Sequence, residues 1–219
     1  MDVQSATRQL KTIFECGRRA GISRAMFINF GTLLGAVRDR SLIPWDDDTD
    51  VSIMSDMITK EQEDAFYVEL CKADVFKYRR RRAYRYDTQR ALWWSCRSEL
   101  HGCKSCIWFV FRWRNHVYHC KGKRWLRKIG NKPEVAELIP NGKLNDYMTI
   151  MKGNSAECFS SMREIKFLDG RFNIPIGAGQ LLDEYYPNWA VPKQGGASSR
   201  YRLVIIGDWS RENTWQVLS

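Results

Sequence analysis

The chain has 219 residues, 44% of them hydrophobic, so it is long enough and apolar enough to bury a core and is not a disordered chain. Its formal charge of +10 leaves basic side chains available to polyanions, anionic membrane surfaces or phosphorylated substrates, although much of this charge is typical of a solvated surface. No stretch approaches the roughly 18 consecutive apolar residues of a membrane-spanning helix, and the start of the chain lacks a signal-peptide core, which predicts a cytoplasmic protein.

The first elements are predicted from periodicity and from glycine and proline. Apolar residues recur at helical spacing over 4–20, and Gly21 stands where a glycine commonly ends a helix. The apolar run 25–30 predicts a buried strand, and residues 32–38 predict one or two helical turns. Pro44 then favours a loop, because the residue before a proline is pushed out of the helical region.

The pattern of apolar residues is less regular in the later part of the chain. A helix over 59–73 is supported by the capping pair Thr59 and Gln62. Strand-like segments follow at 75–86, 91–97, 107–113 and 116–120, with a hairpin expected between the last two. Residues 123–162 have a mixed, mainly helical pattern, and the tail from 195 onward has one apolar run and is otherwise expected to be peripheral. No repeat or linker is visible, so we expect one domain over residues 1–219.

An acidic run, DDDTD at residues 46–50, leads into an alternating stretch. The alternation predicts a strand from Asp48 onward, with Asp48, Asp50 and Ser52 on one face and the residues between them toward the core. Two carboxylates at this spacing lie roughly 6 to 7 Å apart at their bases and can converge on one ion. Hard oxygen ligands suit Mg²⁺ or Mn²⁺, and the alternative is a solvated acidic turn.

A glycine-threonine step precedes the acidic run. Gly31 and Thr32 open the predicted short helix, whose first N–H groups can bind phosphate. Because a phosphate-binding turn and a buried strand flank the aspartates, a metal site is favoured over the solvated turn.

Two stretches resemble the LicD and fukutin-related family. FGTLLGAVRDRSLIPWDDDTDVSIM, within a core motif at 25–54, is similar to the family's G-[TS]-LLG-A-x-R segment followed by IPWD-x-D-x-D. FLDGRFNIPIGAGQLLDEYYPNWAVP, residues 167–192, is similar to a later family block, in which a short strand leads to a proline and then to a helix with a tyrosine-rich end. The blocks stand in the family's order, which makes them together more specific than either alone.

The resemblance implies an α+β fold of the nucleotidyltransferase type, a small mixed sheet flanked by helices. It also implies Mg²⁺-dependent transfer of a phospho-alcohol, such as phosphocholine or ribitol phosphate, from a CDP-activated donor to a glycan hydroxyl of a surface polysaccharide. By position in the motif, the implied site residues are the metal pair Asp48 and Asp50, the helper and candidate base Asp46, the phosphate-binding Gly31 and Thr32, and the arginine Arg38. Asp47 is expected to have only a solvated or supporting role.

The chemistry of the implied reaction asks for these residue types. Cleavage of a pyrophosphate spreads charge over oxygens that a divalent ion, a helix start and an arginine neutralise. Arg38 has a second interpretation, as a structural partner of the acidic run. The family's further aspartate, in a phrase like hDIF, has no counterpart here, since CIWFVF offers Ile107 or Trp108, and Asp87 and Glu99 are the candidate replacements.

Two other functions stay open. A nucleotidyltransferase acting on nucleic acid or a small nucleotide is favoured by the +10 charge, although the basic stretch 77–86 is better explained as a strand face and nucleic acid is the less expected partner. A binding module without catalysis is favoured by the absent acid. An anionic membrane surface is a further candidate partner, at the periphery.

Histidines and cysteines crowd into one part of the chain: Cys96, His101, Cys103, Cys106, His116, His119 and Cys120. The Cys103-x-x-Cys106 pair followed by histidines resembles the spacing of a structural Zn²⁺ site. A tight hairpin, however, would hold Cys106 several residues from the level of His119. We therefore favour buried thiols and surface histidines over zinc.

Overall fold

The computed structural model describes residues 2–73, 77–84, 91–97, 103–113, 115–120, 148–194, 203–208 and 216–218. The helices of these residues are α1 (Val3–Arg19), α2 (Phe30–Leu34), α3 (Lys60–Lys72) and α4 (Ala178–Tyr185), and a π-helical turn, Gly35–Asp39, continues α2. The strands are β1 (Met26–Ile28), β2 (Asp48–Met54), β3 (Lys77–Tyr84), β4 (Ala91–Arg97), β5 (Lys104–Trp113), β6 (His116–Cys120), β7 (Met148–Ser155), β8 (Met162–Phe167), β9 (Gly170–Pro175), β10 (Leu203–Asp208) and β11 (Gln216–Leu218). The predicted α+β class is confirmed.

A mixed sheet organises the fold. Its main path is β1-β2-β5-β6-β7-β10-β11, with β4 paired to β5 and β3 paired to β4, while β8 and β9 form a separate hairpin. β2 lies between antiparallel β1 and parallel β5, and its residues from Thr49 to Met54 are all buried. Because β2 and β5 are parallel, their first residues meet at one edge of the sheet, with Asp48 opposite Lys104.

The helix ends follow the capping signals in the sequence. Gly21, which follows the C-cap residue Ala20 of α1, has a φ of 72°, and the N–H of Ile22 donates to the carbonyl of Gly17 (2.9 Å), which is the pattern of a glycine-terminated helix. At the start of α3 the Thr59 and Gln62 side chains each accept from the other's backbone N–H. Both predictions are confirmed. They could be made from the sequence because these contacts depend only on residues that are neighbours along the chain.

Three element predictions need correction. The predicted strand 25–30 is shorter, because Phe30 already begins α2. The β5–β6 hairpin is present, but β5 begins earlier than predicted, at Lys104. The mainly helical prediction for 123–162 is wrong over β7, where pairing with β6 and β10 overrides the local pattern, and residues 121–147 lie outside the described residues.

The tail from residue 195 onward was expected to be largely peripheral, but part of it belongs to the main sheet. Its apolar run forms β10, which pairs antiparallel with β7 on one side and with β11 on the other. None of the described helices is long and apolar enough to cross a membrane.

Candidate functional site

An open cleft of about 470 Å³ lies at the edge of the sheet where β2 begins. It is bounded by α2, the loop before β2 and the chain that follows α4. Of the predicted site residues, the structure brings Gly31, Arg38, Asp46 and Asp50 to its lining. Tyr186 and Lys193 line the cleft from the far side, so the second sequence block and the residues just after it face the first.

Asp46 lies against the open side of Gly31. A Cβ atom built on this glycine would stand 2.1 Å from Asp46 Oδ2, so any larger residue would displace the carboxylate from this position. The other oxygen, Oδ1, accepts the backbone N–H of Asp47 at 3.0 Å. The predicted phosphate-binding turn is thus in contact with an acid of the run, and its role toward phosphate stays a prediction.

The carboxylates of Asp46, Asp47 and Asp48 form one group. Their ligand oxygens lie within 4.8 Å of one another, and this group could bind a divalent cation. Burial, and next the charge of Asp48, raises the pKa of Asp46 to about 6. A bound cation would relieve this repulsion, so the donor set fits a hard metal ion.

Asp50 is not a member of this group. It follows Asp48 by two residues on β2, so the two side chains leave the strand on the same face. Its Oδ1 accepts the indole N–H of Trp108 at 2.9 Å, and its backbone N–H donates to Thr32 Oγ1 at 2.8 Å. Assignment of Asp48 and Asp50 as the metal pair stays a prediction, and so does the solvated role of Asp47, whose side chain is exposed.

Thr32 and Arg38 both have protein partners. Thr32 is buried, and its hydroxyl orients the backbone of β2 through Asp50. Arg38 forms a two-point ion pair with Asp39, with distances of 2.6 and 2.7 Å, and donates to the carbonyl of Trp189 at 3.3 Å. Its acidic partner is therefore Asp39, next to it in the chain, and the contact with Trp189 ties the two sequence blocks together.

β5 contributes donors to the site instead of the expected acid. Lys104 Nζ lies 2.5 Å from Asp48 Oδ2, and the thiol of Cys106 lies 3.4 Å from the same oxygen. Trp108, two positions further along, donates to Asp50. The sequence identified Cys106 as a candidate zinc ligand and Trp108 as a residue in the place of the missing acid. It did not identify Lys104, because only the strand register brings it opposite Asp48.

The third carboxylate is not supplied by the described residues of β5. Asp87 and Glu99, the two candidate replacements, lie outside the described residues. Glu184, the glutamate within the second block, accepts from the side-chain amide of Asn154 at 2.9 Å and from the backbone N–H of Ser155 at 3.3 Å. Glu184 thus ties α4 to β7.

Among the described cysteines and histidines, no group has metal-binding geometry. In the hairpin register Phe111 pairs with Tyr118, so Cys106 lies well away from the level of His119, as expected. Burial raises the pKa of the Cys103 thiol to about 11, which suits a protonated core cysteine. His119 is buried, so the prediction of surface histidines is wrong for it. His101 and the side chains of Cys96 and Cys120 lie outside the described residues.

Asp46→Asn is expected to raise the free energy of unfolding at neutral pH, in the absence of divalent cations, by about 1 to 3 kcal/mol. Asp46 has a pKa raised from 3.8 to about 6, so its favourable contribution is complete below pH 3.8 and is lost as the pH rises through about 6. Asparagine stays neutral throughout. The gain in the free energy of unfolding should therefore appear as the pH rises from 3.8 to about 6. Urea unfolding at several pH values, with a chelator present, measures it.

Asp169→Asn is the control for this effect. Lys11, which lies 2.7 Å from Asp169, holds the pKa of that carboxyl below its ordinary value, so the control variant should lose stability at neutral pH. A loss of stability for Asp46→Asn as well would contradict the assigned repulsion.

The region that contains α2 and the acidic run matches a known protein family. The family model described as LicD/FKTN/FKRP, nucleotidyltransferase domain, matches residues 23–132, which is half of the chain. The matched range includes α2, the acidic run and the strand face of β5, and it ends before the block 167–192. No curated protein sequence matches the chain closely enough to be counted as a relative.

Proposed function

The chain belongs to the LicD/FKTN/FKRP nucleotidyltransferase family, and from this membership we propose that it transfers a phospho-alcohol from a CDP-activated donor to a glycan hydroxyl. The substituent is of the phosphocholine or ribitol phosphate type, and the acceptor is a surface polysaccharide. One observation carries the proposal: the acidic run, which can bind a divalent cation, opens into a cleft that Arg38 and Lys193 also line. A carboxylate group beside cationic side chains suits a metal-assisted reaction of a pyrophosphate.

Asp46, Asp47 and Asp48 would hold the ion, and Asp50 is the predicted further ligand. When bound, Mg²⁺ or Mn²⁺ supplies positive charge for the oxygens of the cleaved pyrophosphate. Arg38, which also lines the cleft, supplies a second positive charge. Because Asp39 and the Trp189 carbonyl hold its guanidinium in place, this charge is oriented before the donor arrives.

Asp46 is the candidate general base. Its side chain lines the cleft, so its carboxylate can accept a proton from an acceptor hydroxyl that binds there. In the proposed reaction the hydroxyl oxygen attacks the phosphorus that carries the alcohol, its proton passes to the carboxylate, and CMP leaves. Gly31 contributes by leaving space for that carboxylate.

We also propose that the protein acts in the cytoplasm, in contact with an anionic membrane surface. The formal charge of +10 supports such contact. A binding module without catalysis is the second candidate. It is supported by Trp108, a hydrogen-bond donor to Asp50 where the family pattern leads one to expect an acid, and by Lys104, which pairs with Asp48.

Thermal unfolding with CDP-choline, CDP-ribitol and CDP-glycerol tests the proposed function. One of these donors should raise Tm in the presence of Mg²⁺ and not with a chelator, because a ligand at about a hundred times its Kd stabilises the folded state by about 2.7 kcal/mol. Cytidine serves as the control for the base and sugar alone.

Turnover then separates the candidates. Release of CMP on addition of a glycan acceptor supports the transferase, whereas Mg²⁺-dependent binding without release supports the binding module. If no CDP-alcohol protects the protein while RNA binds with steep salt dependence, the proposal is wrong and a nucleic-acid function replaces it.

A further inference from the structure

Lys104 begins β5 directly opposite Asp48. The ammonium nitrogen lies 2.5 Å from Asp48 Oδ2, and the side chains are 38% and 18% exposed, respectively. Partial burial reduces screening by water, so this pair is stronger than an ion pair in full solvent. Asp48, the aspartate shared by the carboxylate group and the predicted metal pair, therefore already has a cation of its own.

Two other side chains on the same face of β5 also contact carboxylate oxygens of Asp48 and Asp50. Cys106 Sγ lies 3.4 Å from the same oxygen of Asp48, and Trp108 Nε1 donates to Asp50 Oδ1 at 2.9 Å. These side chains stand at alternate positions of one strand, so all of them point to the face that carries Asp48 and Asp50. A divalent cation bound to Asp48 and Asp50 would need the same carboxylate oxygens that these β5 side chains contact.

We propose that Lys104 is a built-in counter-ion of the site, which competes with the divalent cation for Asp48 and so sets the metal affinity. Two cations on one carboxylate oxygen repel each other, so the ammonium leaves Asp48 Oδ2 when a metal ion binds there. Lys104 is thus a positioning residue that keeps Asp48 paired in the absence of metal. The inference rests on the proposed function only in taking a divalent cation as the ligand.

Lys104→Met tests the competition, because methionine keeps an unbranched stem and removes the charge. Mn²⁺ titrated into the purified full chain, followed by calorimetry, should bind roughly five- to tenfold more tightly than to the wild type. Lys104→Arg, which keeps the charge, should bind Mn²⁺ as the wild type does. Affinity for Lys104→Met equal to or below that of the wild type would overturn the proposal.

Lys60→Met is the matched control. Lys60 forms an ion pair of the same length, 2.5 Å, with Asp64 on α3, away from the acidic run. Its removal should leave Mn²⁺ affinity unchanged. A gain of affinity in this variant equal to that of Lys104→Met would mean that net charge, and not the contact with Asp48, controls binding, and would also overturn the proposal.

Labelling of the wild-type chain keeps the test independent of how the variants fold. Lys104 should react with an amine-specific acylating reagent about fivefold faster with saturating Mn²⁺ than with a chelator, because its ammonium is released from Asp48. Peptide mass spectrometry compares it with Lys60, whose rate should not change. An unchanged rate for Lys104 would overturn the proposal.

These readouts use the metal ion alone and no donor. If no CDP-alcohol binds, the proposed function fails while tighter Mn²⁺ binding by Lys104→Met still supports the counter-ion. If a CDP-alcohol is turned over but Lys104→Met and the labelling rate show no competition, the counter-ion alone is wrong.

Discussion

Asp48→Asn is expected to lower kcat/KM for transfer from the CDP-alcohol by at least about a hundredfold, with the loss greatest at low Mg²⁺. The amide keeps the size of the side chain but removes its charge. The group formed by Asp46, Asp47 and Asp48 therefore loses one of its three charged ligands, the one that lies on β2. It also leaves the ammonium of Lys104 beside a neutral partner, which further disfavours a divalent cation. Initial rates of CMP release over a range of Mg²⁺ concentrations measure the effect.

Asp64→Asn is the matched control, since it breaks an ion pair of the same 2.5 Å length at an exposed site on α3. It should leave kcat/KM unchanged. Wild-type turnover by a folded Asp48→Asn variant at every Mg²⁺ concentration would contradict the assignment of Asp48 as a metal ligand.

Two further variants then separate the predicted pair from the observed group. If the ion lies between Asp48 and Asp50, Asp50→Asn should cost as much as Asp48→Asn, and Asp47→Asn should cost little. If the ion lies on the group formed by Asp46, Asp47 and Asp48, Asp47→Asn should also weaken metal binding. The outcome shows whether the hydrogen bond from Trp108 withdraws Asp50 from the metal.

The parts of the site that are local in sequence could be predicted. Alternation from Asp48 onward identifies β2 and places Asp48 and Asp50 on one face, because strand side chains alternate whatever the neighbouring strands are. The start of α3 follows from a side chain and a backbone N–H three residues apart. Such signals need no knowledge of tertiary structure.

The partners of these residues could not be predicted in the same way. Lys104 meets Asp48 only because β5 returns parallel to β2 after α3, β3 and β4, and nothing in the local pattern sets that register. The contact between Asp46 and Gly31 depends likewise on how the loop before β2 folds over α2. A family motif indicates which acids are present, but the cations and donors that modify them come from distant strands.

Phe30 shows a conflict between local and tertiary preference. It ends an apolar run that favours a strand, yet its φ is 45°, in the left-handed region that a bulky residue rarely adopts. The residue is 7% exposed, and its ring contacts the rings of Trp108, His119 and Tyr185, with centroid distances of 5.3, 4.9 and 4.9 Å. Packing of these rings therefore holds the backbone in the turn that brings Gly31 to Asp46.

Phe30→Ala is expected to lower the free energy of unfolding by about 3 to 5 kcal/mol, because it removes a buried ring from this aromatic contact. Phe30→Gly should cost about 1 kcal/mol less than Phe30→Ala, since glycine adopts the left-handed conformation without strain. Chemical denaturation of both variants measures the difference. The order is the reverse of that expected in a helix.

Phe14, on α1, provides the control for that order. It packs against Phe172 at a centroid distance of 5.0 Å, but its backbone is helical, so Phe14→Gly should be less stable than Phe14→Ala by about 1 kcal/mol. A reversed order at Phe30 alone would show that ring packing maintains a strained turn at the start of α2. If glycine is also the less stable substitution at Phe30, the backbone there is unstrained, and the rings are not needed to hold Gly31 against Asp46.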